Sequence, residues 1–186
     1  MVTLDALWMP IVLSSVLVFV ASSIVWMALP HHKSDAVGLP DEDATLALLR
    51  KQSLAPGLYR FPFMKDMEAM KSPEMQEKCR QGPVGMLTVF RGDIFNMGRS
   101  MAFWFAYLLV LGVMVAYVTG RALPPGTHYL QVFRVSGTVA FLAYAGGHVP
   151  SSIWWGRPWS VSFKEIADGL LYGLLTAGAF GWLWPR

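Results

Sequence analysis

Apolar and polar residues run along this chain in blocks. Residues 6–29, 100–120 and 169–185 contain no Asp, Glu, Lys or Arg. Each block approaches the ~20 apolar residues, at ~1.5 Å rise apiece, that a helix needs to cross a bilayer. The first block predicts a helix over about Pro10–Leu29, with proline tolerated in its first turn and Pro30 discouraging continuation. A second is predicted over about Ser100–Thr119, followed by a turn at Leu123-Pro124-Pro125-Gly126. A third over Leu130–Val149 includes Gln131 and Arg134, the arginine close enough to the end to snorkel, with Pro150 as its stop or kink. The fourth reads from a capping box at Ser162 to Glu165 through to Trp184, stopping at Pro185.

The polar block between the first two spans, residues 31–99, has structure signals of its own. Asp41-Glu42-Asp43 before Ala44–Lys51 puts acids at the start and bases at the end of a short helix, as its dipole favours. Tyr59, Phe61 and Phe63 alternate along a predicted strand over 58–63, and Met86–Phe90 predicts a second strand. Ser72-Pro73-Glu74 opens another short helix that Gly82-Pro83 closes. The expected fold is therefore a membrane all-α protein: four transmembrane helices with a small α+β cytoplasmic cap between helices one and two. Its domains are an N-terminal transmembrane helix (1–30), the cap (31–99) and three transmembrane helices (100–186), with a Trp-rich interfacial segment at 150–160.

Composition sharpens this pattern. The chain of 186 residues is 54% hydrophobic and 15% charged, against ~25% charged in an average soluble domain. The net charge of +3 gathers into no concentrated basic face, so no nucleic-acid partner is expected. Cys79 stands alone, which excludes an internal disulfide and suits a reducing compartment. The first residues carry no positive charge and the apolar stretch ends without a small-residue cleavage site, so it reads as an uncleaved anchor. With four spans, residues 31–99 and 150–164 share a side that holds twelve Lys and Arg, leaving Arg121, Arg134 and Arg186 opposite. The bias of basic residues towards the cytoplasm then puts both termini in the periplasm of a bacterial inner membrane.

Small residues recur at four-residue spacing. Span four carries Gly169, Gly173, Ala177 and Gly181, span two Gly112, Ala116 and Gly120, and span three Ala143 and Gly147. Such stripes let helix backbones approach where lipid offers little hydrophobic drive. They are expected to close the chain's own bundle, with one face left for a membrane partner. Trp154, Trp155, Arg157 and Trp159 suit the headgroup layer and are the candidate contacts with partner or lipid. Asp168 is expected to pair with Arg157 or Lys164, and Glu165 to complement the dipole at a helix start.

No charge falls in the middle of any span, which argues against a pore or pump. No G-x-S-x-G, P-loop, G-x-G-x-x-G or H-E-x-x-H motif is present, so no catalytic residue is assigned. His148, preceded by Ala-Tyr-Ala-Gly-Gly, is the one candidate cofactor ligand, for a haem iron or the magnesium of a chlorophyll-type pigment. His31 and His32 make a poor shared metal site with His148, because adjacent residues rarely aim both side chains at one ion.

Four stretches, 29–35 (LPHHKSD), 38–44 (GLPDEDA), 56–63 (PGLYRFPF) and 156–160 (GRPWS), resemble a family of small bacterial inner-membrane proteins with no assigned activity. The resemblance implies a multi-pass topology and a bacterial source, and transfers no activity, cofactor or site residue. The functional expectation is a non-catalytic accessory subunit of a larger membrane complex, with an energy-transducing complex, respiratory or photosynthetic, as the host class. Its partners would be other integral membrane subunits and the lipid bilayer. A haem- or pigment-binding protein using His148 is the alternative, and a membrane-bound enzyme or carrier of lipid-like molecules is the third.

Overall fold

The structure, a computed structural model, describes residues 1–92 and 96–186. The described chain is mostly helical with one two-stranded sheet, and it divides into two compact units, 1–36 with 97–186 and 37–96.

The first unit is a bundle of four long helices. Helix α1 (Trp8–Ser23) follows a 3₁₀ turn at Asp5–Leu7 and runs into a π-helical turn at Ile24–Ala28. After Pro30 a second 3₁₀ turn covers His31–Ser34. In the second unit, α2 (Glu42–Lys51) starts where the Asp41 carboxylate accepts the Ala44 N–H at 3.0 Å. Strand β1 (Gly57–Phe61) pairs antiparallel with β2 (Gly85–Val89), Tyr59 opposite Leu87, and two short helices, α3 (Met67–Lys71) and α4 (Pro73–Gln81), lie between them in sequence. Among its described residues none is fully buried.

The first unit resumes with α5 (Met97–Ala122), α6 (Tyr129–Ala145), the short α7 (His148–Trp155) and α8 (Trp159–Trp182). Helix α1 packs on α5 and α8, and α6 packs on α5 and α8. Among the described residues two stretches are long and apolar enough to cross a membrane, Asp5–Ala28 with 24 residues and Met97–Ala122 with 26. Helix α6 has 17 residues. At ~1.5 Å per residue it is somewhat short of a ~30 Å hydrocarbon core.

The bundle's interior combines apolar side chains such as Leu7, Leu108 and Phe180 with small hydroxyls, and its outside is large and apolar. Ser14, Ser15, Thr119, Ser136 and Thr176 are buried, while Val20, Ile24, Phe103, Val110, Met114, Leu142, Phe163 and Trp182 are exposed. Ser15, Ser136 and Thr176 donate to the carbonyl four residues back, at 2.8, 2.7 and 2.9 Å, so each hydroxyl is satisfied within its own helix.

The expected stripes on α5 and α8 are buried at every position. A Cβ at Gly112 would lie 3.3 Å from the Ile11 carbonyl oxygen, and one at Gly120 2.6 Å from that of Val2, whose own N–H donates to Gly120 at 2.9 Å. On α8, Gly169 faces Ala145, Gly173 faces Phe141, Ala177 faces Gly137 and Gly181 faces the Tyr129 ring. Span three differs from expectation. Ala143 and Gly147 are exposed, and the buried face of α6 is Val132, Ser136, Ala140 and Ala145. The α8 stripe meets small residues of α6 at Ala145 and Gly137 and aromatic ones at Phe141 and Tyr129, so the small residues of α6 that pack lie on a different face from Ala143 and Gly147.

Two other local expectations are revised. Helix α6 ends at Gly146, ahead of Pro150, and Pro150 sits in the first turn of α7, where a missing N–H costs nothing. Helix α8 starts at Trp159 after Pro158, a turn before the expected capping box. Gly156, at φ +68°, lets the chain turn between α7 and α8, a conformation that a side chain would strain. Ser162 is thereby inside the helix, its hydroxyl 2.7 Å from that of Ser152 and 3.2 Å from the His148 carbonyl.

Candidate functional site

One end of the bundle gathers two clusters of ionisable side chains. The 3₁₀ turn supplies His31 and His32, with Asp35 just after it. The first turns of α8 supply Lys164, Glu165 and Asp168, and the residues around α7 supply His148 and Arg157. Two networks result, both anchored on α8.

In the first, His32 is 4% exposed at its side chain and held between two carboxylates. Its Nδ1 lies 2.5 Å from Asp35 Oδ2 and its Nε2 2.7 Å from Asp168 Oδ2. His31 Nε2 reaches the other Asp168 oxygen at 3.4 Å. Lys164 Nζ donates to Asp35 Oδ1 at 2.6 Å, to the His31 carbonyl at 2.5 Å and to Ser34 Oγ at 2.9 Å. Burial opposes an imidazolium at His32, but the hydrogen bonds and charges of Asp35 and Asp168 outweigh it and raise the pKa above its ordinary value. Lys164 first, then His32, holds the Asp35 carboxyl below the usual range. The Trp26 indole stacks on the His32 ring at 3.9 Å between centroids and 3° between planes.

The second network joins Arg157, Glu165 and His148. Arg157 Nη2 donates to Glu165 Oε1 at 2.5 Å. His148 Nδ1 lies 2.7 Å from Glu165 Oε2, an ion-pair contact without hydrogen-bond alignment, and its Nε2 is 3.1 Å from the Tyr144 carbonyl. Asp168 thus pairs with the two histidines rather than with Arg157 or Lys164, and Glu165 makes specific bonds rather than capping a helix. Both nitrogens of His148 are engaged, so it could hold a haem iron or a pigment magnesium only by giving up one contact.

Beside the networks lies a half-open cavity of about 530 Å³, within the range of small-molecule sites. Ser22, Ser23, Trp26 and Met27 line one wall and Met97, Met101 and Trp104 another. Tyr144, Tyr172, His148, Glu165 and Asp168 complete it. Trp104 Nε1 donates to Ser22 Oγ at 2.9 Å, closing the two helices over one side. The Tyr172 hydroxyl is buried facing Trp26 without a well-formed hydrogen bond, and Glu165 Oε2 is likewise left without one.

Trp154, Trp155 and Trp159 stand outside this arrangement. Trp154 is 80% exposed and Trp155 60%, while Trp159 lies against Phe163. Arg157, grouped with them by sequence, belongs to the Glu165 pair. Sequence pattern does not single out His31, His32, Asp35, Lys164 and Asp168 as a set. The signal available is topological, because the end of helix one and the start of helix four face the same side in any four-span arrangement. The fold and site together define a helical bundle with an ionic network and an apolar cavity at one end. No protein-family model, curated protein or solved structure matches the chain.

Proposed function

We propose that the chain is a four-span bacterial inner-membrane protein that binds a small amphiphilic molecule in the cavity at its cytoplasmic end. The membrane reading is supported by the large apolar side chains exposed on the outside of the long helices, beside hydroxyls buried within the bundle. In water such a surface would invite association; in lipid it is ordinary. The basic residues favour residues 31–99 in the cytoplasm and both termini in the periplasm.

The observation that carries the binding reading is the pairing of apolar walls with buried, unmatched polar atoms. A buried hydroxyl without a partner costs ~1–3 kcal/mol. On the cavity wall the Tyr172 hydroxyl has no well-formed hydrogen bond, and Glu165 Oε2 has only its poorly aligned contact with His148. A ligand with an apolar body and a polar head covers the methionines and tryptophans and supplies the missing hydrogen bonds. The expected result is a bound small molecule retained by the full chain in gentle detergent and seen by native mass spectrometry. Met101→Trp, which fills the cavity, should abolish it. Tyr172→Phe should lower its occupancy about tenfold, roughly the worth of one buried hydrogen bond. A wild-type spectrum showing only the bare chain mass sinks the reading.

A second reading, the accessory subunit of a larger membrane complex, is favoured by the exposure of Trp154, Trp155, Ala143 and Gly147 on one stretch of chain. Crosslinking from position 154 in native membranes should then capture another integral membrane protein. A protein that leaves the membrane as a lone monomer, with nothing crosslinked, ends that reading.

A further inference from the structure

We propose that His31, His32 and Asp168 form a binding site for one borderline divalent cation, with zinc the best match to the donors. One ligand atom from each of the three side chains lies within 4.8 Å of the others. Adjacent histidines ordinarily diverge, but the 3₁₀ turn at His31–Ser34 changes their relation. Both rings turn their Nε2 atoms to the same carboxylate, with centroids 4.1 Å apart.

The surroundings of His32 are those of a metal ligand. Its Nδ1 is held by Asp35, and Asp35 is fixed in turn by Lys164. An outer carboxylate of this kind sets the tautomer and aim of a ligating imidazole. With the Nδ1 proton directed at Asp35, the Nε2 lone pair points at Asp168 Oδ2 from 2.7 Å. Two acceptors cannot face each other so closely without positive charge between them. That charge is a second ring proton or a cation. A cation in place of that proton would also draw on His31, whose Nε2 lies 3.4 Å from the other oxygen of the same carboxylate.

Two imidazoles and a carboxylate are a nitrogen and oxygen set that suits zinc and its first-row neighbours and not magnesium or calcium. Three protein ligands leave a fourth position open, as in zinc sites that bind a further molecule. His31, 34% exposed at its side chain, gives a solvent path to the site. The inference does not rest on the cavity reading.

The test is calorimetric titration of zinc chloride into untagged, chelator-stripped full chain in detergent, with magnesium chloride as the counter-probe. The expected result is one zinc per chain and no magnesium. His31→Ala and Asp168→Asn should each weaken zinc binding more than tenfold, and Asp35→Asn by about 10–100-fold, the usual cost of an outer partner. His128→Ala, at an exposed position far along the chain, should bind as wild type. Zinc absorption spectroscopy of the wild-type complex, which requires no variant to fold, should show two imidazole nitrogens at ~2.0–2.1 Å. The proposal falls if wild type takes up no stoichiometric zinc, if His31→Ala and Asp168→Asn bind unchanged, or if fewer than two imidazoles surround the metal. Met101→Trp should leave zinc binding intact, so the two proposals fail separately.

Discussion

Arg157 and Glu165 show how a single pair can matter more when half broken than when absent. Glu165 is nearly buried, 9% exposed at its side chain, while Arg157 is 37% exposed. Removing the arginine leaves a desolvated carboxylate with only the poorly aligned His148 contact. Arg157→Ala should therefore cost about 2 kcal/mol, the scale of a hydrogen bond to a charged group. The double variant Arg157→Ala, Glu165→Gln should recover part of that loss, because it removes the uncompensated charge as well. Thermal melts in detergent read both, and a double variant less stable than Arg157→Ala contradicts the argument. His148, with both ring nitrogens engaged, should behave as a structural residue: His148→Ala should lower the melting temperature, and the purified protein should show no visible absorption band for the substitution to remove. At this scale the sequence was least legible. Each ionisable residue was visible, yet the partner of Asp168 lies 136 residues away at His32, and no local spacing encodes that pairing.

Among the elements, small residues have meaning only against what faces them. Gly120 approaches a backbone carbonyl, Gly181 the end of an aromatic side chain, and Gly147 nothing within 4 Å. Alanine substitution should rank accordingly. Gly120→Ala must displace the Val2 carbonyl and should cost about 1–3 kcal/mol, the range for overpacking. Gly181→Ala should cost less, since the Tyr129 ring can turn aside, and Gly147→Ala should fall within about 0.5 kcal/mol of wild type. Equal effects at all three positions would refute the packing described. Local signals served well where the determinant was itself local. The acids before α2, Pro73 at the start of α4 and the alternation around Tyr59 all mark elements found in the fold. They served poorly on α6, where the buried face is chosen by α8, and at α8 itself, where Pro158 overrode a well-formed capping signature.

At the scale of the whole molecule, both chain ends are stitched to the same end of the bundle. The Val2 N–H donates to Gly120 and the Gly126 N–H to Pro185, each at 2.9 Å. In the proposed topology that end is periplasmic and Cys79 is cytoplasmic. A membrane-impermeant maleimide should label Cys79 in inverted inner-membrane vesicles and leave it untouched in intact spheroplasts. In a Cys79→Ser background, Arg186→Cys should show the opposite pattern. Labelling of Cys79 from outside would invert the topology.

The bond between His32 and Asp168 also sets a schedule for biogenesis. At ~5–20 residues per second, translation delivers Asp168 on the order of ten seconds after His32. Until then the histidines at the end of the first helix have no carboxylate on α8 to meet and must remain hydrated. The last helix made is the one that locks the first, so a ribosome stalled before residue 168 should leave a nascent chain whose first segment is inserted but whose 31–35 turn is open to proteases and chaperones.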